Sequence, residues 1–307
     1  MARLVVLAAA AFLITMGGAR ADEGVSCGAT ITVDTTLTND LKCSGDGLFV
    51  SADEVTLDLN GHTVRGSGTG SGVTITGAGV TLKNGSAKGF EDGIRVAFPG
   101  DHATLTGVTA NVNGTGLMVF AANDATVTHS NFSNNATVGI WERALGLTIE
   151  DSKISHNGGD GFYAFPFSGG LKLISNELND NGGSGIHFED SDDGSTVSGN
   201  TASRNGGDGI QVYSSTGSYT GNTTRQNQRN GIWIIEGAGL LFAQHELIAD
   251  NTSNGNGAHG ILSCTQISSP QDLCAPGMVD GGGNLAKHND LTPQCVNIVC
   301  RLSLGKA

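Results

Sequence analysis

A four-residue pattern, Gly-apolar-x-apolar, returns along most of the chain and limits what it can fold into. It reads Gly93-Ile94-Arg95-Val96, Gly116-Leu117-Met118-Val119, Gly139-Ile140-Trp141 and Gly161-Phe162-Tyr163-Ala164, then Gly185-Ile186-His187-Phe188, Gly209-Ile210-Gln211-Val212, Gly231-Ile232-Trp233-Ile234 and Gly260-Ile261-Leu262. Successive motif glycines stand 23, 23, 22, 24, 24, 22 and 29 residues apart. A near-constant period of this length is one turn of a solenoid, in which each coil packs only on its neighbours. Inside the motif the apolar residues alternate with period two, which is the signature of a strand. Two further inward sets follow: Val127, Ile149, Leu173, Val197 and Tyr219, and five residues later Phe132, Ile154, Leu178, Ala202 and Thr224. Each coil therefore offers about three short strands, and stacking the coils at roughly 4.8 Å buries a continuous core. With 48 Gly, 5 Pro and only 15% charged residues, the composition suits many short strands joined by tight turns.

A second column fixes the register. Four residues before the motif glycine stands Asn135, Asn157, Asn181, Asn205, Asn227 or Asn256. Stacked amides at one turn can hydrogen-bond along the solenoid axis, and Asn also favours turns on its own account. Leucine-rich repeats have similar periods but need a Leu-x-x-Leu-x-Leu consensus, which is missing.

The stretch Val55-Thr56-Leu57-Asp58-Leu59-Asn60-Gly61-His62-Thr63-Val64 and the Gly-Ile coils resemble the right-handed parallel β-helix proteins of the pectin-lyase-like superfamily. That superfamily includes polysaccharide lyases, mannuronan epimerases and NosD-like copper-enzyme maturation proteins. The resemblance implies an all-β, right-handed parallel β-helix in a single domain, working from a surface groove. It is specific for fold and poor for function. The epimerase Asp-Pro-His-Asp motif is absent, and no pectate-lyase-like arginine signature is recognisable. His62 belongs to an Asn-Gly turn and reads as structural.

The N-terminus predicts export. Arg3 precedes an apolar run, Leu4 to Ile14, and Ala19-Arg20-Ala21 fits a small-x-small cleavage site. Residues 1–21 thus read as a signal peptide, 22–70 as an N-terminal cap and first coil, 71–263 as the coils and 264–307 as a C-terminal cap. The expected location is secreted or periplasmic. No other segment is long and apolar enough to insert in a membrane. Six cysteines, all after the cleavage site, predict disulfides, locally Cys27–Cys43, Cys264–Cys274 and Cys295–Cys300, with the connectivity of the last four left open. No Cys-x-x-Cys spacing or paired His suggests a metal site. The net charge is −13, and loss of Arg3 and Arg20 makes it −15. Nucleic acid is a poor partner for such a surface.

Alternation also predicts what points outward. The first outward column is Arg95, Met118, Trp141, Tyr163, His187, Gln211, Trp233 and Leu262, and the second is Ala97, Phe120, Arg143, Phe165, Glu189, Tyr213 and Ile235. Both Trp and two of the three Tyr fall there. An outward aromatic row needs something to cover it, and flat rings with polar neighbours suit a polysaccharide. Trp141, Trp233, Phe120, Phe165 and Gln211 are the expected sugar contacts. The alternative cover is a protein partner. For proton abstraction beside a uronate carboxylate, His187 or Tyr213 could take the proton, Tyr163 return it and Arg143 pair the carboxylate. Glu189 is the carboxylate that a glycoside hydrolase would use, with partners in the run Asp190-Ser191-Asp192-Asp193. That acidic run could hold Ca²⁺ but lacks EF-hand spacing and reads more simply as a turn. No cofactor is required. A NosD-like role is disfavoured, because histidines are scattered and methionines do not cluster. Asp92, Asp160 and Asp208, each before a motif glycine, read as turn formers. Glu142 falls in an inward column, and a local bulge is expected to turn it out.

Overall fold

The computed structural model describes residues 24–189, 194–213, 217–236, 247–265 and 279–300. The expected signal peptide, the run 190–193 and the Cys264–Cys274 pairing lie outside what is described. Every regular element among the described residues is a strand. The strands form parallel sheets of twelve, thirteen and four, and neighbours within a sheet come from successive coils. The first sheet runs from Thr30–Ile31 to Cys295–Val296 and contains all the motif strands.

The strand register follows the repeat. In the first sheet Leu117, Ile140, Phe162, Ile186, Ile210, Ile232 and Ile261 pair in sequence. In the second, Val127, Ile149, Leu173, Val197 and Tyr219 do the same, and all are fully buried. The four-stranded sheet aligns Ala202, Thr224, Ser253 and Ala286. Alternation thus puts one face of most of these strands into a common core.

The asparagine column is a hydrogen-bonded ladder. The Asn157 backbone N–H and side-chain amide both donate to Asn181 Oδ1, each at 3.0 Å, and Nδ2 donates also to the Phe132 carbonyl. The pattern repeats from Asn135 to Asn256, and it extends beyond the sequence expectation to Asn113 and Asn289. The motif glycine is the other half of this device. A Cβ on Gly161 would stand 2.6 Å from the Gly185 carbonyl and 2.8 Å from Asn181 Nδ2, so only glycine lets the ladder pass. A second ladder, Asn176, Asn200, Asn222, Asn251 and Asn284, was missed by the sequence reading, although its first four members each stand nine residues before a motif glycine. In earlier coils Ser130 and Ser152 hold its place. Two disulfides, Cys27–Cys43 and Cys295–Cys300, stand where expected.

Glu142 corrects a sequence expectation. No bulge turns it out: it pairs with Val119 and Ala164 in register and is 0% exposed. Its Oε1 accepts the Ala144 N–H, while Oε2 has no partner. Burial pushes its pKa up to about 8, against the Ser168 hydroxyl and the Ala144 N–H, which pull it down. The side chain is tolerated inside because it is a neutral acid there at neutral pH.

Candidate functional site

The outward residues of the first sheet form one continuous surface row. Their strands alternate buried and half-exposed positions, as in Ile140–Arg143, Ile186–Glu189 and Ile210–Tyr213. Because the coils are in register, side chains two residues apart on one strand meet those of the next coil. Phe120 stacks on Trp141, with centroids 6.4 Å apart and planes 24° apart. Trp141 then meets Phe165 at 5.6 Å, and Phe165 meets Tyr163 at 6.2 Å. Tyr163 meets His187 edge-on at 5.1 Å. The row is therefore aromatic from Phe120 to Tyr163 and titratable where it reaches His187.

Arg143 sits inside this row. Its guanidinium lies 5.8, 5.4 and 5.8 Å from the ring centroids of Phe120, Phe165 and Phe167. Among the described residues no carboxylate lies within 4 Å of it. A guanidinium over aromatic faces keeps its charge and its in-plane donors, so Arg143 is left able to receive an anion. Phe167, 67% exposed, was missed by the sequence reading. It follows Pro166, beyond the motif strand, where alternation no longer says which way a side chain points.

The polar end is a hydrogen-bonded cluster. The Tyr163 hydroxyl donates to Glu189 Oε2 on the next coil. Burial, followed by that bond to Glu189, raises the Tyr163 pKa, so the phenol holds its proton firmly. His187 Nδ1 lies 3.0 Å from Asp160 Oδ2, with each side chain 20% exposed. An acceptor at Nδ1 favours the tautomer with the proton there, leaving Nε2 free as a base. Asp160 Oδ1 meanwhile accepts the Ser184 N–H at 2.5 Å, and Ser184 Oγ donates to Gln211 Oε1 at 3.0 Å. Asp160 is thus an acceptor for the next coil's backbone and a positioning residue for His187, where the sequence reading expected only a turn former. Asp208 is fully buried and accepts from the Asn230 backbone and side chain through Oδ1, while Oδ2 is unpartnered. Burial raises its pKa against those two bonds.

The structure brings Phe120, Trp141, Arg143, Phe165, Tyr163, His187, Gln211 and Glu189 together. Tyr213 is half-buried and pairs in register with Glu189 and Ile235. Trp233 continues the first column beside Gln211 and Leu262, but it lies four coils from Trp141, about 19 Å at the usual strand spacing. Among the described residues, no group of three or more His, Cys, Asp or Glu could hold a metal ion, and no helix is long and apolar enough to cross a membrane.

Comparison with known proteins bears on the fold. Residues 99–247 match the family described as a right handed beta helix region. Among curated proteins, no sequence matches this chain. Solved structures with the same architecture include the Dettilon tailspike protein, at TM-score 0.56 and 16% identity, with 85% of this chain and 55% of that one covered. This chain thus spans about half the length of the tailspike. The mannuronan C-5 epimerase AlgE6 A-module of Azotobacter vinelandii aligns at TM-score 0.54 and 15% identity, covering 80% of each chain. A single-residue mutant of the periplasmic alginate epimerase AlgG aligns at TM-score 0.56 and 16% identity, covering 88% of this chain and 74% of that one. At such identities the likeness is one of fold. The stacked parallel coils, the shared inward columns and the matched region agree on one fold, a right-handed parallel β-helix.

Proposed function

We propose that this chain is an exported protein that binds a polysaccharide along the outward aromatic row and acts on it, as a lyase or an epimerase, at the polar end of that row. The observation that carries the proposal is the junction itself. A run of four touching aromatic side chains leads directly to a histidine whose Nδ1 is held by Asp160. Aromatic faces suit the C–H faces of sugar rings, and the fixed imidazole supplies a base. In this reading His187 Nε2 takes the proton beside a uronate carboxylate, and Arg143 pairs that carboxylate. For β-elimination, the electrons left behind form the new double bond and expel the glycosidic oxygen, which takes a proton from Tyr163. For epimerisation, a proton returns to the same carbon from the opposite face. Disulfides near both ends support an oxidising compartment. The epimerases and the tailspike that share the fold support a carbohydrate partner.

The test is a panel of neutral and acidic polysaccharides, read by tryptophan fluorescence and by the ultraviolet absorbance of an unsaturated elimination product. The expected result is a fluorescence shift that Trp141→Ala abolishes, with product formation lost in His187→Ala while binding persists. Binding without elimination product or epimer would remove the catalytic half of the proposal. No response to any polysaccharide would remove both halves and direct attention to a protein partner.

A further inference from the structure

A positively charged cleft lies on a different face, at the far end of the solenoid. It is lined by Arg225, Gln226, Asn254, Gly255, Lys287 and His288, with a volume of 460 Å³, within the usual range of small-molecule sites. The strands Thr223–Arg225, Thr252–Asn254 and Leu285–Lys287 belong to the four-stranded sheet, and register puts Arg225, Asn254 and Lys287 side by side. Each coil then turns at a left-handed residue: Gln226, Gly255 or His288. At the middle turn the glycine carries no side chain, which opens the gap between Gln226 and His288.

Two features of this cleft, taken together, point to a ligand. The first is its charge. One coil before Gln226, Arg204 makes a two-pronged pair with Asp180 at 2.7 and 2.7 Å, and His156 faces the same Asp180 at 3.7 Å. There the positive charge is compensated. In the cleft, no described carboxylate lies within 4 Å of Arg225, Lys287 or His288, in a protein of net charge −13. The second is Asn254 Oδ1, a buried oxygen with no hydrogen-bond partner. A buried acceptor without a donor is costly, so it calls for a donor from outside the chain.

We propose that this cleft is a binding site for a hydroxylated carboxylate, namely a uronate unit of an acidic glycan. The carboxylate rests between Arg225 and Lys287, whose Cα atoms are two coil spacings, about 10 Å, apart. Rotation of the Asn254 side chain, itself only half-buried, brings Oδ1 to a neighbouring ring hydroxyl, which donates to it. The cations alone would accept any anion; the amide oxygen adds the demand for a hydroxyl. The site is independent of the aromatic row and does not rest on its assignment.

Titration calorimetry on the full disulfide-bonded chain tests it, with trigalacturonate, its neutral galactose counterpart and sulfate as probes. Arg225→Ala combined with Lys287→Ala should weaken trigalacturonate binding about tenfold or more, since two charge-assisted contacts go. Asn254→Ala should weaken trigalacturonate and leave sulfate unchanged. Trp141→Ala should leave the cleft component intact. Three results would overturn the proposal. Trigalacturonate binding lost only in Trp141→Ala would leave the aromatic row as the sole acidic-sugar site. Sulfate binding as tightly as trigalacturonate, with Asn254→Ala neutral, would make this an inorganic-anion site only. Absence of trigalacturonate binding would refute the cleft, while binding of another polysaccharide that Trp141→Ala abolishes would leave the row standing.

Discussion

Glu142 occupies a column otherwise held by Val119, Ala164, Phe188 and Val212, so its behaviour is set by burial rather than by a partner. Its ordinary value is 4.5 and its value in the fold is about 8. Between those limits the folded chain keeps a proton that the unfolded chain has released. The stability from that proton is whole below the unfolded value and is lost as pH rises through about 8. Urea denaturation from about pH 5 to about pH 9 should show the wild type losing a few kcal/mol relative to Glu142→Gln. Parallel curves for the two proteins would mean that the carboxyl is not buried as described. Asp160→Ala belongs to the same scale. It removes the acceptor for the Ser184 N–H and the anchor of His187, so stability should fall by about 1 kcal/mol. Turnover of any processed polysaccharide should fall much further than its binding. Neither role could be read from the chain alone. An aspartate before glycine looks like a turn former, and an inward glutamate looks like an error until its protonation is known.

The stacked asparagines set the stability of the elements. Asn181→Ala would strip the acceptor from the Asn157 backbone and side-chain donors, leaving two buried N–H groups unpaired. The expected loss is about 3 kcal/mol or more, read as a shift in the urea midpoint. Asn113→Ala, at the N-terminal end of the column, removes the acceptor of one backbone N–H, that of Phe90, and one donor, to the Ala87 carbonyl, and should cost less because one buried N–H is left unpaired instead of two. Equal losses at both positions would argue against a ladder whose inner rungs are shared. This level of organisation was largely legible in advance. The column was visible because it keeps a fixed distance from the motif glycine, and the inward rows because period two survives every insertion. The second ladder escaped for a different reason. Asn176, Asn200, Asn222 and Asn251 each stand nine residues before a motif glycine, but the first places of that column are filled by Ser130 and Ser152, so no single residue type marks it. The outward row was legible for the residues on motif strands. Phe167 lay one turn beyond the reach of that argument, and so did its approach to Arg143.

For the whole molecule, coils contact only their neighbours, so disruption should begin at the ends. The two described disulfides lie there. Cys27–Cys43 spans 16 residues and Cys295–Cys300 spans 5. In the chain-entropy account the longer loop contributes about 3 kcal/mol and the shorter one less. Replacing Cys27 and Cys43 with Ser should therefore lower the urea midpoint more than replacing Cys295 and Cys300. The reverse order would show that the C-terminal coils are the weaker end. The parallel register of the outward row has a further consequence. Every strand in it points the same way, and between Phe120 and His187 its chemistry changes from aromatic to titratable along one axis. The row is therefore vectorial, like a tape marked from a single end. A polymer laid along it would be told its own polarity, because reversing the polymer would bring different ring faces and a different end to His187. Such a surface would select one strand sense of its ligand before any bond is made or broken, and fragments on its two sides would depart from unlike surfaces at unlike rates.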